Sequence, residues 1–443
     1  MNLAIPAETW DLIFENGVYG GALLITFLIY QWHRIRTDRQ NEAKIQANKE
    51  AGMVEPASLH PIFNDSRCIG CAACITACPE GKVIGLVDMK ARLIDPSHCI
   101  GHGACKTACP LDAITLVFGS ETRGVDIPMV QPNFETNVPG IFIAGELGGM
   151  GLIRNAITQG RQALDNIRKL DGIGKGDGLD ILIVGAGPAG FSASLGAMQH
   201  KLRYKTLEQD SLGGTVFQFP RGKIVMTAPV ELPMVGQIKL KETTKEHLLG
   251  MWQDIEKKTQ VQINYMERVE AITPDGNGFV VKSNRDTYKT RSVLLAIGRR
   301  GTPRKLGVPG EDQPKVVYRL IDPAQYQNMH VLVVGGGDSA IEAATTISDE
   351  PGTTVTLSYR SEAFSRVKEK NRQRVKECEE SGRLKVMLKS QIQRIDPDKV
   401  VIKWEEEVLE LPNEAVIICA GGILPTGFLK EIGIQVDTKF GTP

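Results

Sequence analysis

Residues Asp180–Glu208 read DILIVGAGPAGFSASLGAMQHKLRYKTLE, and this stretch decides the fold. An apolar strand runs into Gly185-Ala-Gly187-Pro188-Ala189-Gly190. A helix follows, then a second strand that ends at Glu208. Gly185 allows the tight turn, Gly187 lets the backbone approach a pyrophosphate, and Gly190 lets helix and strand pack closely. The helix N-terminus supplies N–H groups and a positive dipole for phosphates. A carboxylate about 20 residues on, here Glu208, is placed for ribose hydroxyls. A second copy occupies 330–360: HVLVVGGGDSAIEAATTISDEPGTTVTLSYR. Gly335, Gly337 and Ala340 take its three small positions, with Asp338 and Ser339 opening the helix. Its second strand ends on Tyr359 and Arg360, with Arg366 close behind and no acid. A missing carboxylate beside guanidinium groups favours the 2′-phosphate of NADPH, with NADH the alternative. The fold class expected is α/β with two Rossmann-like dinucleotide-binding domains.

Upstream, the chemistry changes. Nine cysteines are present, and seven fall between Cys68 and Cys109. That clustering points to metal rather than to scattered disulfides, and to a reducing compartment. Cys378 and Cys419 stand apart and read as ordinary thiols. Cys68-I-G-Cys71-A-A-Cys74-I-T-A-Cys78-Pro79 is C-x2-C-x2-C-x3-C-P. Three close thiolates wrap three corners of one cubane, and the fourth reaches the other cluster. The motif repeats as Cys99-I-G-His102-G-A-Cys105-K-T-A-Cys109-Pro110. By the crossed rule, one 4Fe-4S cluster takes Cys68, Cys71, Cys74 and Cys109. The other takes Cys78, Cys99, Cys105 and the residue at 102. His102 either ligates iron, which raises the potential of that cluster, or leaves a three-iron cluster. The segments VIGLVDMKARLIDP and AITLVFGSETRGVDIP both read as strand–turn–strand, the mark of an internal duplication. Zinc fits poorly, because such triplets overfill a tetrahedral site.

Five segments together resemble the thioredoxin-reductase-like flavoproteins, and among them the ferredoxin–NADP reductases of that type. They are GAGPAG, the Gly213-Gly214-Thr215 turn, LLAIGRRGTPRKLGVPGE (294–311), GGGDSAIEA (335–343) and AGGILPTGFL (420–429). The resemblance implies FAD in the first nucleotide fold and NADPH in the second, which is inserted in the first. It also implies a hinge near Gly298 and Gly421–Gly422, and a homodimer. Thioredoxin reductases carry a C-x-x-C ahead of the second glycine motif. This chain has VVYRLIDPAQYQNM (316–329) there, so a dithiol mechanism is not available. The family's closing flavin segment is missing after KFGTP and stands instead at 132–170, PNFETNVPGIFIAGELGGMGLIRNAITQGRQALDNIRKL. In it, Gly145 and Glu146 match the end of the closing strand. Asn155 and Ala156 lie in the helix whose N-terminus faces the flavin pyrimidine ring. The flavoprotein therefore resembles a circular permutation joined to a bacterial two-cluster ferredoxin. The new connection would run through DGIGKGDG (171–178).

Residues Gly17–Trp32 (GVYGGALLITFLIYQW) carry no charge. At about 1.5 Å per residue they span roughly 24 Å, a little short of the roughly 30 Å hydrocarbon core. Acidic residues precede and Arg34, Arg36 and Arg39 follow, so the expectation is a single transmembrane helix with the body on the cytoplasmic side. The domains expected are an external tail (1–16), an anchor (17–33), a solvated helical spacer (34–58) and a two-cluster ferredoxin domain (59–117). A permuted flavin-closing segment (118–170) and a linker (171–178) follow. An FAD domain (179–297) is interrupted by an NAD(P)H domain (298–415) and resumes at 416–443.

Lys plus Arg and Asp plus Glu each count 52, which gives no support for a nucleic-acid partner. These parts imply an oxidoreductase of the cytoplasmic membrane. It moves electrons between NADPH, FAD and iron–sulfur clusters, to or from a ferredoxin-like, quinone or other membrane partner. NADPH gives up two electrons at once and a cluster takes one, so a flavin between them is the converter. No side chain is expected to act as a catalytic acid or base. Two alternatives are a flavin-site reductase of a small organic substrate fed by the clusters, and a non-catalytic redox-sensing subunit. The short connection from cluster motif to closing strand leads to the expectation that one cluster sits near the flavin.

Overall fold

The computed structural model describes residues 7–50, 56, 59–99, 101–121, 124–148, 151–175, 178–219, 221, 224–226, 229–239, 242–299, 301–364 and 367–442. They divide into two units. One is Met1–Val54 with Pro61–Cys99 and Gly103–Leu116; the other is Glu55–His60 with Ile100–His102 and Val117–Pro443.

The first unit begins with helix α1 (Ala7–Glu50). Its apolar side chains Val18, Tyr19, Leu23, Leu24, Ile25, Phe27, Leu28, Ile29, Tyr30 and Trp32 are each more than half exposed, on all faces of the helix. Among the described residues no helix is long and apolar enough to cross a membrane. The transmembrane helix expected at 17–33 is corrected accordingly. The uncharged run is short, and Gly17, Gly20, Gly21, Thr26 and Gln31 dilute it.

The solvated spacer is also corrected. The polar half of α1 docks on the iron–sulfur unit through side chains at helical spacing. Asn41 Nδ2 donates to the Leu86 carbonyl at 2.8 Å, and Lys44 Nζ to that of Lys82 at 3.1 Å. Lys44 also pairs with Asp95 at 2.8 Å, and buried Asn48 donates to the Ile94 carbonyl at 2.9 Å. Residues three and four apart share a helix face, so one stripe meets one surface.

The body of this unit holds β1 (His60–Phe63), α2 (Ala73–Thr76), β2 (Ile84–Val87), β3 (Lys90–Leu93), α3 (Ala104–Thr107) and β4 (Ile114–Val117). β2 and β3 form the expected antiparallel hairpin. The second strand–turn–strand reading fails. β4 pairs with β1, while the next strand, β5 (Val125–Pro128), pairs antiparallel with Val436–Lys439 near the end of the chain.

In the second unit a seven-stranded sheet runs Ile263–Asn264, β8 (Tyr204–Leu207), β7 (Leu179–Val184), Thr287–Leu295, Gly278–Ser283, Val269–Asp275. The strand β6 (Ile141–Ile143) pairs parallel with Thr287–Leu295, setting Ile141 opposite Val293 and Ile143 opposite Leu295. The transposed segment therefore closes the sheet of its own chain. Its helix α4 (Ile153–Ile167) packs on α5 (Pro188–Gln199), with Ala156, Ala163, Leu164 and Ile167 in the shared core. β6 and most of β7 are fully buried, as parallel strands covered on both faces require. The connection after α4 is pinned at both ends. Arg291 Nε donates to the Asp171 carbonyl at 3.0 Å, and Gly174 N donates to Asp180 Oδ1 at 2.8 Å.

The second nucleotide fold is a five-stranded parallel sheet: Val316–Val317, Ala415–Ile418, His330–Val334, Thr354–Ser358, Leu384–Met387. Two chain crossings join it to the first fold, and they pair with each other. Thr302 lies opposite Ile423, and Pro303 opposite Gly422. Gly298 and Gly421, beside these crossings, adopt left-handed φ of 64° and 84°.

Candidate functional site

In the first unit the side chains of Cys68, Cys71, Cys74 and Cys109 border one cavity, enclosed by Phe63, Ile69, Leu86, Ala91, Leu111 and Ile114. This is the set expected for one cluster by the crossed rule. Cys78 does not border it. Among the described residues no three His, Cys, Asp or Glu side chains converge as a single ion requires. A lone zinc would draw its sulfurs to about 2.3 Å from one point. These thiols instead ring a void, which suits a multi-iron cluster. All nine cysteines are free of disulfides.

Backbone amides also point at the sulfurs. Ala91 N donates to Cys68 Sγ at 3.5 Å and Ala113 N to Cys109 Sγ at 3.3 Å. Such donors stabilise negative sulfur and raise a cluster's potential. Burial pushes the Cys74 thiol up to about 11, with Cys105, Cys68 and Cys71 adding to the rise. Packed thiols of this kind ionise readily only when a cation compensates them, which iron does.

The two cysteine loops carry one backbone form. Gly70 and Gly101 have φ of 71° and 80°; Ala72 and Gly103 have φ of 60° and 73° and cap α2 and α3. The Ile75 and Lys106 amides bond to the Ala72 and Gly103 carbonyls, each at 3.0 Å. His102 therefore takes the loop position of Cys71.

In the second unit one cleft of about 1930 Å³ runs along both nucleotide folds. An ordinary ligand pocket is roughly 300–1,000 Å³, so this cleft has room for two dinucleotides. On the first fold it is bordered by Gly145, Glu146, Ala156, Gly185, Gly187, Pro188, Ala189, Glu208, Gly214 and Thr215. A Cβ at Gly187 would meet nothing within 4 Å, so the cradle is open where a pyrophosphate would approach. Pro188 opens α5 without sacrificing a needed N–H. The buried Glu208 carboxylate accepts from Ala186 N at 2.7 Å and Asp210 N at 2.9 Å. Burial pushes its pKa up, and those amides oppose the rise. These features fit FAD.

On the second fold Gly335, Gly337, Asp338, Ser339, Tyr359 and Arg360 border the cleft, and Gly337 is likewise open. Tyr359 lies against Gly336, where any Cβ would strike its ring, and stacks on Phe364 at 5.7 Å. That holds the strand end at which Arg360 stands. These features fit a pyridine nucleotide.

Four expected residues do not border the cleft: Gly190, Gly213, Asn155 and Ala340. Gly190 and Ala340 act in packing, since a Cβ at 190 would fall 1.8 Å from the Gly185 carbonyl and Ala340 sits against Gly335. Arg366 lies outside the described residues. Sequence reading missed several neighbours. Gln159 Oε1 accepts from Gly145 N at 2.9 Å. Half-buried Arg299 donates to the Asp126 carbonyl at 2.9 Å; burial lowers its pKa, against the pull of Glu146 and Asp126. Arg304, Lys305 and Tyr318–Ile321 also border the cleft. The last of these replaces the family's dithiol segment, and nothing in its composition marks it as a cleft wall.

Comparisons with known proteins agree with this architecture. Residues 182–443 match the family model described as pyridine nucleotide-disulphide oxidoreductase, and residues 60–110 match a 4Fe-4S dicluster domain. A ferredoxin–NADP reductase of Thermus thermophilus is 30% identical over 285 residues, 60% of this chain and 82% of the relative. Bacilliredoxin reductase Bdr of Bacillus subtilis is 25% identical over 268 residues, 59% of this chain and 82% of the relative. The solved bacillithiol disulfide reductase Bdr (YpdA) of Bacillus cereus superposes with a TM-score of 0.53 at 22% identity. It covers 58% of this chain and 82% of its own, and shows the shared fold.

Two nucleotide folds along one cleft, in a chain with an iron–sulfur domain, define an NAD(P)H-dependent FAD and iron–sulfur oxidoreductase without a dithiol. The chain belongs to the pyridine nucleotide-disulphide oxidoreductase family, and a strand that precedes the matched region, Ile141–Ile143, joins its first sheet.

Proposed function

We propose that this protein exchanges electrons between NADPH and a one-electron iron–sulfur carrier, through FAD and two clusters. FAD, when bound, accepts electrons in pairs from a nicotinamide and passes them on singly. Gly185, Gly187, Pro188, Ala189, Glu208, Gly214 and Thr215 hold its adenosine and pyrophosphate, and Gly145, Glu146 and Ala156 close over the flavin end. The residues at 335–339 and 359–360 hold NADPH. Cys68, Cys71, Cys74 and Cys109 hold one cluster; Cys78, Cys99, His102 and Cys105 hold the other. The observation that carries the reading is the ring of four thiols about one cavity, in a chain that also has the open double-nucleotide cleft. Anaerobic titration with NADPH, followed by absorption and low-temperature EPR, tests it. The expected result is flavin bleaching followed by cluster signals. A bound flavin that NADPH fails to bleach would sink the proposal.

Arg360→Ala is expected to raise the KM for NADPH about tenfold while leaving that for NADH near its starting value. A charge-assisted bond to a phosphate is worth about 1.5–3 kcal/mol, and only NADPH offers one there. Equal losses with both nucleotides would remove Arg360 from 2′-phosphate recognition.

The apolar collar of α1 attaches the chain to a lipid surface in this reading. Its exposed side chains surround the helix, and Arg36 sits 5.3 Å over the Trp32 ring at the polar end. The full chain is expected to float with anionic vesicles, and a chain lacking residues 1–33 to stay behind. Equal sedimentation of both would assign the collar to a protein contact instead.

A further inference from the structure

The two cluster sites come from a duplicated motif, yet their mouths differ. At the first, Ile69 and Leu111 border the cavity and are 63% and 43% exposed. Between them the ligand Cys71 is exposed. In the crossed arrangement the residue matching Leu111 at the second site is Glu80, and the one matching Cys71 is half-buried His102. Of the other ligands of the second site, Cys99 and Cys105 are buried and Cys78 is half-buried. Among the described residues, Cys71 is the one exposed cysteine ligand, and it stands beside an apolar rim.

Two ion pairs and a lysine lie beside that mouth. Arg67 faces Asp112 at 3.9 Å, and Arg92 Nη2 donates to Asp65 Oδ2 at 2.8 Å. Lys90 Nζ is spent on the Asp65 and Cys68 carbonyls, at 2.8 and 2.6 Å. An apolar centre inside a polar ring is the anatomy of a protein contact.

Resting on the reading above, we propose that the mouth formed by Ile69, Cys71 and Leu111 is the docking surface for a small one-electron carrier protein with an apolar contact face. The first cluster is then the port, and the second does not meet the carrier. Each NADPH oxidised yields NADP⁺, one proton and two electrons, and the electrons leave singly on two carrier molecules. The reverse direction balances in the same way.

The probe is a bacterial two-cluster ferredoxin added to the holoenzyme. Hydrogen exchange of the wild-type chain should show protection at 67–72 and 109–112 on adding ferredoxin, and none at 78–82 or 101–103. Ile69→Asp should lower the second-order rate of electron exchange with ferredoxin at least tenfold. Val408→Asp, on an exposed strand of the nucleotide fold, should leave it unchanged. Protection at the second loop, protection at neither loop, or an Ile69→Asp rate within twofold of wild type would each overturn the port. If any of these occurs while NADPH still reduces flavin and clusters, the electron-transfer reading stands and only the port fails. If NADPH reduces nothing in the wild type, both fall.

Discussion

Gly160→Val is expected to strip the protein of FAD and to destabilise it by about 3 kcal/mol, the upper end for forcing volume into a packed contact. Helices α4 and α5 cross so closely that a Cβ at 160 would fall 2.1 Å from the Ala189 carbonyl oxygen and 3.0 Å from the Ala189 Cα. The obstacle is backbone, so no rotamer change relieves it. Ala189 belongs to the glycine-rich turn and borders the cleft. Pushing it aside displaces the amides that would cradle the pyrophosphate. The substitution lies in the transposed segment, yet the loss should appear in flavin content and in the melting temperature together. Retention of FAD with an unchanged melting temperature would mean that α4 does not approach the Ala189 main chain this closely.

The second large effect concerns the crossing of the cysteines. Cys109→Ala should remove the same cluster as Cys71→Ala, although the two residues belong to different motifs. Iron should fall by about half in each variant, since each motif donates its last cysteine to the other's cluster. Cys78→Ala should remove the other cluster, because Cys78 does not border the cavity that Cys71 and Cys109 share. EPR of the single and double variants decides the matter. Cys71→Ala with Cys109→Ala should lose no more iron than either alone, whereas Cys71→Ala with Cys78→Ala should lose nearly all. Greater iron loss from the first pair than from either single variant would refute the crossed arrangement. NADPH should still bleach the flavin in the single variants, as the nucleotide cleft contains none of these cysteines.

The permutation that the resemblance implies has a physical rationale in the strand pairing. Val436–Lys439 lies antiparallel to β5, with Lys439 opposite Val125, and Phe118 bridges to Thr442. Segments far apart in the chain thus form two arms of a hairpin, the arrangement in which an unpermuted chain would need only a short turn. Moving the connection to 171–178 joins α4 to β7, so that β6, α4 and β7 run as one strand–helix–strand unit. A domain whose ends are adjacent tolerates such a change, because the contacts that stabilise it are unaltered.

Much of this was legible in the residues alone. Glycine turns after apolar strands announce nucleotide folds because only glycine permits those close approaches: a Cβ at Gly190 would meet the Gly185 carbonyl at 1.8 Å. Cysteine spacing announces cubane loops because ligand spacing is local, and the matched left-handed residues at 70, 72, 101 and 103 show it. What tertiary structure decided is where a segment finds its partner. AITLVFGSETRGVDIP looks like a hairpin, yet β4 pairs with β1 and β5 with the far end of the chain. The polar half of α1 looks like a free spacer, yet Asn41, Lys44 and Asn48 dock it on main-chain carbonyls. Strand propensity and helical periodicity are properties of neighbours in sequence. Pairing and docking are contacts between residues far apart, and only folding brings those together.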